Sequence, residues 1–232
     1  MNFREEASKF NISLTDEALN KLDDYFSYLV SYNEHTNLTA ITEHDEVFIK
    51  HFLDSMLLLN SYDLTNKTLC DVGAGAGFPS IPCKIVEDSL SVDIVDALNK
   101  RIIFLNELCK ELDLSNVNPI HNRAEEHAKD KRESYDIVSA RAVARLSVLS
   151  ELCLPLVKIG GVFLAMKSKD YEEELKEAKN AISILGGEIS EIKHFNLPHN
   201  MGERVIIVIK KVKATPNKYP RMFSKIKASP LK

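Results

Sequence analysis

The sequence has no hydrophobic run long enough to cross a membrane. Its apolar runs, such as Val205-Ile206-Ile207-Val208-Ile209, are the size of a β-strand, whereas a membrane helix needs about 18 apolar residues. The opening stretch Met1-Asn2-Phe3-Arg4-Glu5-Glu6 is not a basic segment followed by an apolar one, so we expect no secretory signal. Both absences predict a cytoplasmic protein without membrane segments.

Metal-binding patterns are also absent from the sequence. Cysteines stand at positions 70, 83, 109 and 153, and no pair has C-x-x-C spacing, which disfavours a structural zinc site. The seven histidines show no H-E-x-x-H spacing. We therefore expect no metal, and we interpret the cysteines as reduced core thiols of a cytosolic protein.

The composition is that of a globular protein, but the charge is unevenly distributed. Of the 232 residues, 44% are hydrophobic and 28% are charged, as in ordinary globular proteins. A chain of this length can bury a full core without disulfides or metals. Residues 1–66 carry 4 basic and 12 acidic side chains, whereas residues 210–232 carry 8 basic and no acidic ones. A basic tail on an acidic body is typical of proteins with a polyanionic partner, although lysine-rich ends are often merely solvated.

The hydrophobic pattern divides the chain into a helical extension (1–66), an α/β domain (67–212) and a basic tail (213–232). In the extension Thr15 is a good N-cap, and apolar residues then recur at helical spacing. From Lys67 onward short β-prone runs alternate with helical segments, which predicts a mostly parallel sheet with helices on both faces. A short loop around Gly202 predicts a hairpin and therefore an antiparallel last strand. The predicted strands are Thr68–Val72, Ser91–Val95, Val117–His121, Tyr135–Ala140, Val162–Lys167, Ile189–Phe195 and Val205–Lys210.

A glycine-rich turn follows the first predicted strand. The segment from Asp71 to Pro79 contains Gly73, Gly75 and Gly77, a G-x-G-x-G spacing rather than the G-x-G-x-x-G of dinucleotide sites. Phe78 and Pro79 follow, where a pyrophosphate would need an open helix N-terminus. This disfavours an NAD-dependent dehydrogenase and favours a ligand without phosphates, such as S-adenosylmethionine, with Asp71 beside its cationic amino-acid end. A tight turn without a ligand is the alternative.

Polar side chains at the next two strand tips suit the rest of such a ligand. Asp96 ends the second strand, where it could accept hydrogen bonds from two ribose hydroxyls or could instead cap the next helix. The segment Arg123-Ala124-Glu125-Glu126 ends the third strand. A carboxylate there could accept from an adenine amino group while a backbone N–H donates to the ring, and one of the two glutamates could be only a first-turn helix charge.

Cations follow the fourth and fifth strands. Arg141 and Arg145 are four residues apart, which predicts that both lie on one helix face at the ligand-binding edge of the sheet, and Lys167 closes the fifth strand at the same edge. These cations suit phosphate or a base edge. The alternative is a surface ion pair, for instance with Glu151.

One further cluster, His51-Phe52-Leu53-Asp54-Ser55, could suggest a catalytic triad. Helical spacing would bring the histidine, aspartate and serine together, but no nucleophile elbow accompanies them. We interpret the cluster as a hydrogen-bonded joint between the extension and the main domain.

Together these motifs resemble the bacterial small-subunit (16S) rRNA guanine-N7 methyltransferase family, RsmG or glucose-inhibited division protein B. The matching segments span about residues 35–221. They are Asn37-Leu38-Thr39-Ala40-Ile41, the His51 to Ser55 cluster, the Asp71 to Pro79 turn, Lys100-Arg101-Ile102-Ile103-Phe104-Leu105, Arg123-Ala124-Glu125-Glu126, Ser139-Ala140-Arg141-Ala142 and Lys218-Tyr219-Pro220-Arg221.

The resemblance implies a class I S-adenosylmethionine-dependent methyltransferase: a Rossmann-like α/β fold with a seven-stranded, mostly parallel sheet, an antiparallel last strand and an N-terminal helical extension. It implies 16S rRNA as substrate, free or in the small ribosomal subunit or an assembly intermediate. Nothing in the sequence suggests an obligate dimer, so we expect a monomer. The cofactor contacts implied by the resemblance are Gly73, Phe78, Ala124, Glu125 and Arg141, with Asp96 matching only the general pattern of the class. The glycine turn itself adds Gly75 and Gly77 as candidates. The candidate RNA contacts are Arg123, Arg145, Lys218 and Arg221.

The implied reaction needs no general base. Guanine N7 in the decoding-region loop carries a lone pair and no proton, so in-line SN2 attack on the methyl carbon depends on alignment, with reacting atoms about 3–3.5 Å apart. Arg141, Arg145 and Lys167 would then position RNA rather than move protons. The rival interpretation is a non-enzymatic RNA-binding or ribosome-assembly factor, against which the glycine turn argues.

Overall fold

A seven-stranded sheet organises the computed structural model, which describes residues 1–141 and 143–231. Ala142 of the quoted Arg141 motif and Lys232 of the tail lie outside the described residues. The strand order is β3-β2-β1-β4-β5-β7-β6; β1 to β5 run parallel, and β7 is antiparallel to both of its neighbours. The predicted fold class is confirmed. The strands are β1 Thr68–Val72, β2 Ser91–Asp96, β3 Val117–His121, β4 Tyr135–Arg141, β5 Val157–Ser168, β6 Gly187–Asn196 and β7 Glu203–Lys211.

Helices cover both faces of the sheet. Successive side chains of a strand point to opposite faces, so the buried strands present apolar residues on both, and each face is covered by helices. Leu69 belongs to the hydrophobic cluster of one face and Cys70 to that of the other. Among the described helices, none is both long enough and apolar enough to cross a membrane. The first face carries α5 Ser80–Val86 and α6 Asn99–Glu111; the second carries α7 Ala124–Asp130, α8 Leu146–Cys153, α9 Glu172–Ile184 and α10 Phe223–Ala228.

The N-terminal extension packs on the first face and shares its core. Thr15 caps the long second helix by accepting a hydrogen bond from the backbone N–H of Ala18 at 3.1 Å. The extension's third helical stretch has a π-helical centre, Phe48–Leu53. Buried Phe52 belongs to the same hydrophobic cluster as Ile94 of the sheet, so the extension and the α/β domain share one continuous core. The helices of the extension are α1 Phe3–Ser8, α2 Asp16–Thr36, α3 His44–Val47 and, after the π-helical segment, α4 Asp54–Met56.

The basic tail is a docked segment rather than a free end. The Arg132 guanidinium donates to the carbonyl oxygens of Thr215 and Tyr219 at 2.5 and 2.8 Å. Arg221 donates to both carboxylate oxygens of the fully buried Glu151, at 2.8 and 2.6 Å. The tail is therefore held against the second face of the sheet, and its last helix, α10, was not predicted.

Candidate active site

A cavity of about 450 Å³ lies at the carboxyl ends of β1 to β4. An open parallel sheet binds its ligand at this edge, where the loops after neighbouring strands diverge. The glycine turn after β1, the tip of β2 and the start of α7 form most of the wall. Leu38 and Thr39 of the extension complete it, held there because the Asn33 side chain accepts hydrogen bonds from both of their backbone N–H groups, at 2.6 and 2.9 Å.

The three glycines of the turn have different surroundings, although all have positive φ. A Cβ on Gly75 would meet nothing within 4 Å, so this residue leaves open space for a ligand. A Cβ on Gly73 would lie 2.8 Å from a methyl group of Val143, at the cavity wall. A Cβ on Gly77 would lie 2.8 Å from the Tyr25 hydroxyl. Gly77 does not line the cavity, unlike Ala76 and Phe78 on either side of it, and its small size lets helix α2 pack on the turn.

Asp71 also has a different role from the one expected. It is fully buried and accepts hydrogen bonds from the Ser80 backbone N–H at 3.0 Å and the Ser139 hydroxyl at 3.2 Å. Burial raises the pKa of Asp71 to about 6, and the hydrogen bonds from Ser80 and Ser139 oppose that shift. Because Asp71 does not belong to the cavity wall, it anchors helix α5 below the turn instead of facing a ligand.

Asp96 lines the cavity and links the glycine turn to helix α6. One carboxylate oxygen accepts from the Leu98 backbone N–H at 2.9 Å. The other contacts the Arg101 guanidinium at 3.0 Å and the Gly75 backbone N–H at 3.4 Å. Leu98 rather than Asp96 occupies the N-cap position of α6, so the alternative of simple helix capping is wrong. Arg101 is a cavity residue that the sequence analysis missed.

The start of α7 forms the far end of the cavity, beside helix α10 of the tail. Ala124 and the buried Glu125 line it, as predicted, whereas Glu126 lies outside it and pairs with Lys129 as a first-turn charge. Phe223 of α10 also lines the cavity, and the Arg123 guanidinium lies 5.7 Å from the centre of its ring. Nothing in the sequence pattern indicated Phe223.

Arg141 is the last residue of β4, so the prediction of one helix face shared by Arg141 and Arg145 is wrong. The strand continues through Arg141, and α8 begins only at Leu146. The Arg141 guanidinium donates to Asp54 at 2.9 Å and to the Lys50 carbonyl at 3.2 Å, and it lies 4.7 Å from the centre of the Phe78 ring. The joint that we predicted between the extension and the main domain is therefore built on this arginine.

His51 is the second part of that joint. Its Nδ1 lies 3.2 Å from Arg141, and its Nε2 lies 2.8 Å from the Thr39 hydroxyl. Since arginine can only donate, Nδ1 accepts and the proton is on Nε2. The ring stacks on Phe78 with centroids 4.5 Å apart. Burial, followed by the charge of Arg141, lowers the pKa of His51 to about 3, so the imidazole is neutral at physiological pH.

A second cavity, of about 590 Å³, adjoins the first. His51, Arg141 and Val143 line both cavities and form the wall between them. Four cations, Lys50, Arg141, Lys167 and Arg204, and two carboxylates, Asp54 and Glu174, line the second one. Lys167 is held by Glu174 at 2.7 Å and by the Ala144 carbonyl at 2.8 Å, and Arg204 lies 3.1 Å from Asp54. This cavity suits an anionic or polar substrate.

The remaining predicted cations lie outside both cavities. Arg145 is exposed and forms an ion pair with Glu177 at 2.9 Å. The alternative of a surface ion pair therefore holds for Arg145, but the partner is Glu177 and not Glu151. Lys218 is exposed, whereas Arg221 is the partner of Glu151. All four cysteines are free and buried, and the described residues contain no cluster of three or more histidine, cysteine or carboxylate side chains that could hold a metal.

The first cavity fits S-adenosylmethionine by its open space and its donors and acceptors. The position that a Cβ of Gly75 would fill is empty space in which a methionine moiety can approach the backbone. Asp96 offers carboxylate oxygens at the tip of β2, and Glu125 offers another at the opposite end.

Solved structures show the same fold. A M. jannaschii protein titled TYW2 in complex with AdoMet superposes with a TM-score of 0.58 at 16% identity, over 75% of this chain and 80% of that one. The ribosomal protein L11 methylase of Lactobacillus delbrueckii gives a TM-score of 0.55 at 16% identity, over 71% and 80%. The fold is that of the class I S-adenosylmethionine-dependent methyltransferases.

Sequence relatives identify the family. The model of the GidB family, rRNA small subunit methyltransferase G, matches residues 18–204. A Staphylococcus saprophyticus protein named ribosomal RNA small subunit methyltransferase G is 54% identical over 98% of this chain and 96% of its own length. The Bacillus cytotoxicus protein of the same name is 54% identical over 94% and 93%. The chain belongs to this family.

Proposed function

We propose that this protein transfers a methyl group from S-adenosylmethionine to N7 of a guanine in the decoding-region loop of 16S rRNA, acting as a monomer in the cytoplasm. One observation carries the proposal: a cofactor-sized cavity and a cationic cavity share the wall formed by His51, Arg141 and Val143. These three residues line both cavities, so a methyl group bound in the first cavity and a base bound in the second would both lie next to them. The name of the family supports small-subunit rRNA as the substrate.

Residues on three strand tips would hold the cofactor. When bound, S-adenosylmethionine supplies a methyl group on a cationic sulfur that serves as the leaving group. Gly73 and Gly75 give the methionine moiety room, and Oδ1 of Asp96, which accepts from the Leu98 N–H, has a second lone pair for a ribose hydroxyl. Glu125 and the backbone of Ala124 suit the adenine edge, against which Phe223 closes the cavity.

The arrangement around the shared wall favours a reaction without proton abstraction. Both nitrogens of His51 are engaged, by Arg141 and by Thr39, and its pKa of about 3 makes it a poor proton acceptor. Guanine N7 would present a lone pair directly to the methyl group that bound S-adenosylmethionine supplies, so no side chain of the shared wall would have to take a proton. The task of Arg141, fixed by Asp54 and Lys50, is to align the base.

The RNA-contacting surface is proposed to run from the cavity rim across the tail. Arg123 is more than half exposed at the rim, with a side-chain exposure of 57%. Lys218 and the exposed lysines of α10, Lys225 and Lys227, extend the positive surface. Arg145 and Arg221 are held by carboxylates at 2.9 and 2.6 Å, whereas Arg123 lies 4.0 Å from Glu125, so the proposal rests on the first four cations.

Methyl transfer to undermethylated substrate tests the function. The protein is incubated with tritiated S-adenosylmethionine and either naked 16S rRNA or small subunits from cells that lack this modification, and the RNA is digested to nucleosides. We expect label in N7-methylguanosine from at least one of the two substrates. Label in another nucleoside would contradict the N7 assignment, and no label with either substrate would overturn the proposed function.

A further inference from the structure

The second cavity contains a carboxylate that the methyl transfer itself does not need. Glu174, on helix α9, accepts hydrogen bonds from Lys167 at 2.7 Å and from the Leu146 backbone N–H at 2.8 Å. Both bonds are accepted by Oε2, and a carboxylate has acceptor capacity at each of its two oxygens. With a side-chain exposure of 24%, Glu174 is accessible from the cavity. It is an oriented acceptor in a site that the proposed function assigns to a base.

The other carboxylate of this cavity is less available. Asp54 has a side-chain exposure of only 5%. Its Oδ2 is bonded to Arg141 at 2.9 Å, and its Oδ1 lies 3.1 Å from Arg204. Because each of its oxygens faces an arginine, Asp54 stabilises the shared wall. Of the two carboxylates that line the described part of this cavity, Glu174 is the one suited to contact a ligand.

The shape of guanine determines which edge reaches Glu174. N7 lies on the five-membered ring, and the N1–H and N2–H₂ donors lie on the opposite edge of the six-membered ring. If N7 faces the wall shared with the first cavity, those donors point away from that wall. Lys167 and Glu174 line the second cavity and do not line the first. Two adjacent donors match a carboxylate, whereas adenine presents the acceptor N1 there.

From this placement we propose that Glu174 is the residue that selects guanine, by accepting hydrogen bonds from N1–H and N2–H₂, and that Lys167 positions its carboxylate. The inference rests on the proposed function, because it requires a guanine in the second cavity. Lys167 is suited to a positioning role since Nζ is fixed from two sides, by the Ala144 carbonyl and by Glu174.

Small subunits reconstituted from 16S transcripts with guanine, adenine or inosine at the methylated position test the inference. The wild-type rate on the inosine substrate should be about tenfold below that on guanine, because inosine lacks the N2 amino group and a lost base contact of this kind is worth about 1–3 kcal/mol. This arm needs no variant and so does not depend on folding. Equal rates on inosine and guanine would overturn the contact with N2.

The variant Glu174→Gln tests the residue itself. An amide can donate to adenine N1 and accept from its amino group, so the ratio of guanine to adenine rates should fall at least tenfold. Glu177→Gln is the matched control, since Glu177 lies on the same helix and pairs with Arg145 at the surface; its ratio should equal that of the wild type. Calorimetric affinity for S-adenosylhomocysteine should be unchanged in both variants, which shows that they are folded.

The possible failures are distinguishable. If Glu174→Gln keeps the wild-type ratio of guanine to adenine rates, even with both rates lowered, Glu174 does not select the base and the inference is wrong. The proposed function would still stand. If the wild-type protein does not methylate the guanine substrate, the proposed function itself has failed.

Discussion

Arg141 and the buried Asp54 form an ion pair between positions 87 residues apart in the chain, with a guanidinium nitrogen 2.9 Å from a carboxylate oxygen. Arg141 ends β4, and Asp54 follows the π-helical segment of the extension. A π-helical turn is uncommon and often lies at functional sites. Here it lies beside the wall between the two cavities, so the extension is a structural part of the proposed active site.

Replacing Arg141 should destabilise the protein as well as inactivate it. Arg141→Met leaves Asp54 with Arg204 alone and removes the donor to His51, and breaking a buried pair from one side costs about 3 kcal/mol. Urea unfolding should show this loss. Arg145→Met is the control, because its pair with Glu177 is exposed, and it should leave the urea midpoint nearly unchanged. Equal midpoints for the two variants would contradict the buried joint.

Gly75 should tolerate a side chain structurally but not functionally. Gly75→Leu places its Cβ in open space, so folding costs only the positive φ, about 1–2 kcal/mol, while S-adenosylmethionine binding should fall below detection by calorimetry. Gly160→Leu is the matched control, since Gly160 also has positive φ and open space but lies outside the cavity. Undiminished binding by folded Gly75→Leu would remove the turn from the cofactor site.

His51 should make the protein sensitive to acid. Its pKa is lowered to about 3 in the folded state from 6.5, so the unfolded chain binds a proton first, and stability is lost as the pH falls from about 6.5 towards 3. His51→Gln should reduce this dependence by up to about 1.4 kcal/mol per pH unit. Chemical unfolding at pH 4.5, 5.5 and 6.5 measures it, with exposed His35→Gln as control. Parallel curves for wild type and His51→Gln would contradict the prediction.

Arg221 should act on cofactor binding through the tail. Arg221→Met leaves Glu151 buried without its guanidinium partner, which should lower the unfolding free energy by about 3 kcal/mol. Because Phe223 lies two residues further on and lines the cavity, affinity for S-adenosylhomocysteine should fall as well. Glu151→Gln/Arg221→Met, which removes the buried charge too, should recover part of the stability. A stable Arg221→Met variant with normal affinity would show that the tail is not needed as an anchor.

The exposed lysines of the tail should affect RNA affinity and leave the cofactor site intact. Lys218→Ala combined with Lys225→Ala should weaken RNA binding and flatten the slope of log K against log salt by about one to two units, because each phosphate contact releases counterions. Cofactor affinity should be unchanged, since neither residue lines the cavity. An unaltered slope would place the RNA on another surface.

Local patterns in the sequence predicted the sheet and much of the cofactor cavity. Asp96 ends β2, and Gly75 and Glu125 lie three and four residues after β1 and β3, so the edge that they share follows once the strands are recognised. Within the glycine turn the predictions for Asp71 and Gly77 did not match the structure; the neighbour of Gly77, Tyr25, is distant in sequence. That contact depends on how the extension packs.

Long-range partners could not be predicted. Arg141 and Arg145 have helical spacing, but β4 runs on to Arg141, so spacing alone gave the wrong geometry. The charge pattern marked Arg221 as a basic tail residue, but its partner Glu151 lies 70 residues away. Cations that bind RNA and cations that bind a buried carboxylate look alike in a sequence, and burial of the partner distinguishes them.

The packing of Phe223 against the cofactor cavity also sets an order of events during translation. Thr39 and Phe223 both line that cavity, so its wall includes residues made early and residues made late. When the glycine turn of a nascent chain has emerged from the ribosome and α10 has not, Phe223 is still missing from the cavity wall. The protein therefore acquires its complete cofactor cavity only after the segment beyond β7 has left the ribosome that made it.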